Sequence, residues 1–187
     1  MIYSAITESD EDLKLAQYKV LEDWHEEHDG NLRVILPDTY GTEKFLNNAP
    51  DWLASWTGIR IDSGNPEAGA ELAINWWKKM GENTKNKLII FSDGLDTQKI
   101  IDLYKKFSSD VQLGFGWGTL LTNDFRGLSK DASLDPFSLV CKAIEANGKP
   151  TVKLSDNVNK AMGPIEDVKK YKKIFELSEQ NKDALIV

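Results

Sequence analysis

The sequence predicts an α/β fold in which four successive β/α units, across residues 34–118, build half of a TIM-like β/α barrel. Three observations predict it. Short apolar runs recur at about 25-residue intervals, the period of a β/α unit. The runs close on Asp38, Asp62, Asp93 and Gly118, so acids and glycines collect where strands end. Helical patterns separate the runs, which makes the connections crossovers and the sheet parallel.

The elements follow in order. Thr7, with Glu8, Asp10, Glu11 and Asp12 behind it, reads as a capped helix start whose acids complement the macrodipole. Leu13, Ala16, Val20 and Trp24 recur at helical spacing, and His25 and His28 fall on the last turn. Those histidines are three apart, which suits a helix end rather than a zinc pair. Leu32 to Leu36 is the first strand; Thr42 then caps a helix with Phe45 and Leu46, broken at Pro50 and resumed through Trp52, Leu53 and Trp56. Gly58 to Ile61 is the second strand, and Pro66 opens a helix with Leu72, Ala73, Trp76, Trp77 and Met80 inward, stopped by Gly81. Leu88 to Phe91 is the third strand, followed by a helix packing through Ile100, Ile101, Tyr104 and Phe107. Val111 to Leu113 is the fourth, leading into Gly114-Phe115-Gly116-Trp117-Gly118-Thr119.

After residue 124 the rhythm stops in a polar loop, Arg126 to Asp135. Residues 137–144 and 151–154 then face each other across Asn147-Gly148, a strong hairpin signal. A last helix from Ile165 uses Val168, Tyr171 and Phe175, with Lys169, Lys170, Lys172 and Lys173 on its solvated face. The expected division is 1–125 as the barrel part and 126–187 as a hairpin and helix contributing to a second domain.

Whole-chain properties bound the function. A net charge of −7 and a pI near 4.9 exclude nucleic acid or an anionic membrane as the main partner, leaving room for a local basic pocket around a small phosphate. The single cysteine, Cys141, cannot form an internal disulfide; it reads as a small core residue of a soluble, cytoplasmic chain. No run reaches the roughly 20 apolar residues of a membrane span, and the acidic N-terminus is unlike a signal peptide.

In a parallel β/α protein the loops leaving the carboxyl ends of the strands share one face, where ligands bind. Asp38, Asp62 and Asp93 all fall there, each with the alternative of being a helix cap. The alternating glycines at 114–118 can present successive N–H groups to an anion, or be only a tight turn. Together with Ser92-Asp93-Gly94 they form a candidate phosphate cradle. Arg60 and Asp62, two apart on a strand, share a face as either a structural ion pair or a ligand-orienting one.

Four strands do not close a barrel of eight, and half a barrel leaves two parallel edges unpaired. A missing N-terminal half is therefore expected. An open doubly wound sheet of the flavodoxin type binding another phosphorylated ligand is a further alternative.

Five ordered segments carry a family resemblance: residues 37–42, 58–66, 91–96, 115–124 and 147–156, that is PDTYGT, GIRIDSGNP, FSDGLD, FGWGTLLTND and NGKPTVKLSD. From about Asp10 through Asp156 the chain resembles the C-terminal half of nicotinate phosphoribosyltransferases. The resemblance implies a type II phosphoribosyltransferase fold, with an irregular barrel joined to a domain built largely from N-terminal residues and completed by C-terminal segments. It implies an enzyme that couples ATP hydrolysis to joining nicotinate with 5-phosphoribosyl-1-diphosphate, giving nicotinate mononucleotide on the salvage route to NAD, with homo-oligomeric assembly of the full protein. By the same resemblance Arg60, Asp62 and Ser63 form the catalytic group near base and ribose. Asp93, Gly94, Gly116, Gly118 and Thr119 bind the phosphates, Asp38 is a further candidate, and Mg2+ accompanies the diphosphate. The family's phosphorylatable histidine, in a Gly-Thr segment ending His-Glu, would precede Met1; His25 and His28 do not match it. The isolated chain is thus expected to lack ATP coupling and turnover. The competing expectation is a non-catalytic phosphate-binding or scaffold module that recruits a partner.

Overall fold

The structure is a computed structural model and describes residues 1–128, 130, 134–157 and 160–177. The expected polar loop at 126–135 and the expected second-domain range 126–187 fall partly outside these residues.

Four parallel strands, β1 (Val34–Ile35), β2 (Gly58–Ile61), β3 (Leu88–Phe91) and β4 (Gln112–Phe115), pair in the order β1-β2-β3-β4. Sequential order is that of a barrel segment; a doubly wound sheet reverses its order at a switch point. The register aligns Val34 with Gly58, Gly58 with Leu88 and Leu88 with Gln112, so the strands end level with one another. Gly58 is required where it stands: a Cβ there would lie 2.6 Å from the Leu88 carbonyl oxygen, and the strands could not approach. Within the described sheet β1 and β4 are edges, each paired on one side.

The helices form for local reasons. A short helix, α1 (Ile2–Ala5), precedes α2 (Asp10–Glu27), and the α2 cap is Ser9, which accepts from the Asp12 N–H, instead of Thr7. The Thr7 hydroxyl instead donates to the Ser4 carbonyl. Thr42 is the first residue of α3 (Thr42–Asn47) and not its cap, because its hydroxyl is engaged elsewhere; after Pro50 the chain resumes as a 3-10 turn, Asp51–Ser55. Asn65 caps α4 (Pro66–Lys79), with Pro66 at the first turn and Ala73, Trp76 and Trp77 buried as the spacing predicts. Asp96 caps α5 (Thr97–Phe107). That helix buries Leu103 and Phe107 and leaves Ile101 and Tyr104 outside, so its inward stripe is rotated from the expected one.

The main core gathers Ile35, Ile59, Ile89 and Phe91 of the sheet with Trp56, Trp77 and Phe107. A second cluster joins Leu13 of α2 and Tyr40 to Val152, Leu154 and the last helix, α7 (Ile165–Ile174), through Val168, Tyr171 and Phe175. A four-residue helix, α6 (Thr119–Thr122), follows β4. Beyond it the expected hairpin shrinks: Asn147 and Gly148 make the turn with φ of 51° and 73°, but only Glu145–Ala146 (β5) and Lys149–Pro150 (β6) pair. Residues 137–144 form no strand, and Phe137, Leu139 and Val140 are exposed. Cys141 is exposed with them, contrary to its expected place in the core. No helix among the described residues is long and apolar enough to cross a membrane.

Candidate functional site

Parallel pairing puts the loops after β1, β2 and β3 side by side. Asp62, one residue beyond β2, accepts a hydrogen bond from the Ser92 hydroxyl at 2.9 Å, linking two strand ends. Arg60 lies on the same face, its Nη2 3.8 Å from the Asp62 carboxylate, with both side chains partly exposed. This long, solvated pair leaves the guanidinium with donors to offer.

Asp38 and Ser63 lie deeper. Asp38 is 1% exposed, and its Oδ2 accepts from Ser63 Oγ at 2.7 Å and Lys153 Nζ at 3.0 Å, with Ser155 Oγ at 3.4 Å. Its Oδ1 is buried without a partner among the described residues. A buried carboxylate needs such a counter-ion, because desolvating an unpaired charge costs several kcal/mol. Asp38 and Ser63 are therefore placed to hold Lys153, while Asp62 and Arg60 are placed to meet solvent.

Lys153 belongs to a strap the sequence did not show. Residues 151–155 are all buried; Leu154 and Ser155 N–H groups donate to the Thr39 carbonyl at 2.9 and 3.2 Å, and Lys153 bridges backbone to backbone with Met162. Asp156 then receives the Thr42 backbone N–H at 2.8 Å and the Thr42 hydroxyl as well. Although Asp156 as a residue is exposed, its carboxyl packs against Thr42, and burial of that group, with the Asp38 charge adding, raises its pKa against the effect of the Thr42 bonds. Gly64 makes room here, since a Cβ would stand 3.1 Å from that of Asp156. Finally Lys160 donates to the Asp62 carbonyl at 2.7 Å and to Asp93 Oδ1 at 2.8 Å. The strap thus touches the ends of β1, β2 and β3 in turn.

Beside Asp93, Gly94 has φ of 56°, and Lys99 Nζ donates to its carbonyl at 2.6 Å. Gly116 packs on Ser92, whereas Gly118, just before Thr119 and α6, has open space where a Cβ would be. Among the described residues no three His, Cys, Asp or Glu side chains gather as a metal cage. Asp62 and Asp93 nevertheless suit Mg2+, which is commonly held by one or two carboxylates plus substrate phosphates.

The sequence places Arg60, Asp62, Asp93 and the glycines on one face, but shows neither Lys160 on it nor Lys153 and Asp156 supporting it from beneath. Lys153 and Asp156 stood in the NGKPTVKLSD segment, where Lys153 was assigned to a hairpin strand and Asp156 was given no role; nothing local marks Lys160.

Parallel strands in chain order, with acids and cations gathered where they end, define an α/β protein with a polar face at the strands' carboxyl ends. The chain belongs to the nicotinate phosphoribosyltransferase (NAPRTase) family, whose profile matches residues 1–179. It is similar to the crystal structure of nicotinate phosphoribosyltransferase from Vibrio cholerae, at 32% identity and a TM-score of 0.85 over 97% of this chain and 43% of that one. The Porphyromonas gingivalis enzyme matches at 32% and 0.82, over 94% and 44%. A putative nicotinate phosphoribosyltransferase from Saccharomyces cerevisiae matches at 30% and 0.82, over 95% and 43%. The chain thus spans less than half the length of these relatives.

Proposed function

We propose that this chain supplies the phosphoribosyl-holding half of a nicotinate phosphoribosyltransferase. In that reaction the C1–O bond to diphosphate breaks as the pyridine nitrogen of nicotinate bonds to C1, giving nicotinate mononucleotide; ATP hydrolysis drives it, a ligase-type coupling. The observation that carries the reading is the juxtaposition of Arg60, Asp62, Asp93 and Lys160 at the level ends of β2 and β3, in a chain of this family.

Each side chain has a role. Asp62, steadied by Ser92, accepts from a ribose hydroxyl, and Arg60 orients the anionic base. Asp93, Gly94, Gly116, Gly118 and Thr119 line the phosphate side. Ser63 acts through Asp38, fixing the strap under the site. Asp62 and Asp93, with the diphosphate, would hold Mg2+, which would supply charge neutralisation there. Residues 126–187 complete a second domain with N-terminal residues of the partner half, and the complete enzyme is a cytoplasmic homo-oligomer.

Co-expression tests this. The chain alone should form no nicotinate mononucleotide, and activity should appear when the N-terminal half of a family member, carrying the Gly-Thr…His-Glu segment, is supplied. Turnover by the isolated chain, or none from the pair once they associate, refutes it.

A further inference from the structure

An electrostatic difficulty lies inside the phosphate side of the site. Asp93 is a carboxylate with a partly exposed side chain, and Asp62 stands in the neighbouring loop. Carboxylates in adjacent loops repel an incoming phosphate unless a cation intervenes. Lys160 is the cation in that position. Its ammonium is fixed by the Asp62 carbonyl at 2.7 Å and the Asp93 carboxylate at 2.8 Å, and its side chain is 32% exposed. An ammonium has three N–H groups; among the described residues two are committed, and the third has no acceptor. Lys99, on the first turn of α5, is committed to the Gly94 carbonyl and its side chain is exposed. Lys153 is sunk beneath the site on Asp38 and cannot serve.

We propose that Lys160 is a phosphate-binding residue of this site: the strap delivers its ammonium to the β2 and β3 ends, where Asp93 orients it toward an anionic ligand. This rests on the phosphoribosyl reading given above. It assigns Asp93 a second part, acting through Lys160, and it makes the strap part of the ligand site. Fixing the ammonium beforehand removes the rotamer cost that a free surface lysine would bear on binding.

The test uses the 187-residue chain and inorganic pyrophosphate, followed by 31P chemical shift in Mg2+-free buffer. Lys160→Met should weaken binding about tenfold to a hundredfold, the range for losing one hydrogen bond to a charged group, and Lys160→Arg should restore most of it. Thermal melts of Lys160→Met coincident with the parent chain show that binding, not folding, has changed; if this variant unfolds, Lys160→Gln takes its place. Equal affinity in the parent chain and the Met or Gln variant overturns the role of Lys160 while leaving the phosphate reading intact. No pyrophosphate binding by the parent chain overturns both. Failure of Lys160→Arg to restore affinity, in a chain that melts normally, also overturns the assignment of charge as the cause.

Discussion

Replacing Lys153 by Met should be among the most damaging single changes to this chain. The substitution keeps the length and apolar stem of the side chain and removes only the charge. Asp38, 1% exposed, would be left with two hydroxyl donors, at 2.7 and 3.4 Å, and no counter-ion. Removing one partner of a buried pair costs about 3–5 kcal/mol. For a domain of this size each kcal/mol shifts Tm by about 2–4 °C, so the expected loss is about 6–20 °C. The buried Trp56 and Trp77 report the unfolding by fluorescence, and urea midpoints at a constant slope give the free-energy difference. Adding Asp38→Asn removes the orphaned charge while keeping an acceptor for Ser63. The double variant should therefore recover at least about half of the loss, as expected for directly coupled residues. A Lys153→Met chain within about 1 kcal/mol of the parent, or a double variant no better than the single one, would show that the pair does not hold the strap.

Three further outcomes are expected. Gly58→Ala, which drives a Cβ to 2.6 Å from the Leu88 carbonyl, should prevent β2 and β3 from pairing and leave the chain insoluble; a soluble variant with parent-like circular dichroism would contradict the register. Lys87→Met removes an ammonium that donates to the Ala54 and Trp56 carbonyls at 2.6 and 3.1 Å and meets Glu82 at 2.9 Å; a loss of about 1–3 kcal/mol is expected in urea melts, with no change in pyrophosphate affinity, since Lys87 precedes β3 at the opposite end of the strand from Asp93. Asp156→Asn tests the raised Asp156 pKa: the folded state holds this proton more tightly than the unfolded one, so its contribution falls as pH rises from the ordinary carboxylate value through the raised one. Parent and variant should be closest in stability below that window and diverge across it in favour of Asn; melts between pH 3.5 and 7 that stay parallel would refute the shift.

How far the sequence could be read depended on how local each cause is. β2, β3 and their helices were legible because strand periodicity, Pro66 and the strand-end polar residues lie within a few positions of what they determine. The α5 face was misread because Ile100, Ile101, Leu103 and Tyr104 offer two apolar stripes, and packing against Phe91 selects between them through Phe107. Asn147-Gly148 did make its turn, yet the ladder stopped after two pairs. Thr151 still donates to the Ile144 carbonyl at 3.0 Å, but residues 153–155 are drawn away by the Thr39 carbonyl and the Asp38 charge, which leaves residues 137–140 without that partner and Cys141 exposed. Lys160 was invisible because Asp93 and Asp62 are 67 and 98 residues away in the chain.

Those separations have a consequence in time. The pairings of the sheet all lie within residues 34–115, whereas Lys153 reaches back 115 residues to Asp38 and Asp156 reaches back 114 to Thr42. Contacts this distant bear the loop-closure cost before they return anything, so they form late. On the ribosome, at about 5–20 residues per second, the 67 positions between Asp93 and Lys160 take about 3–13 s to synthesise. For that interval the nascent chain carries the acids of the site without the lysines that neutralise them. The strand-end face is therefore completed only after the sheet that carries it, and a ribosome that stalls just beyond β4 leaves the sheet without its strap.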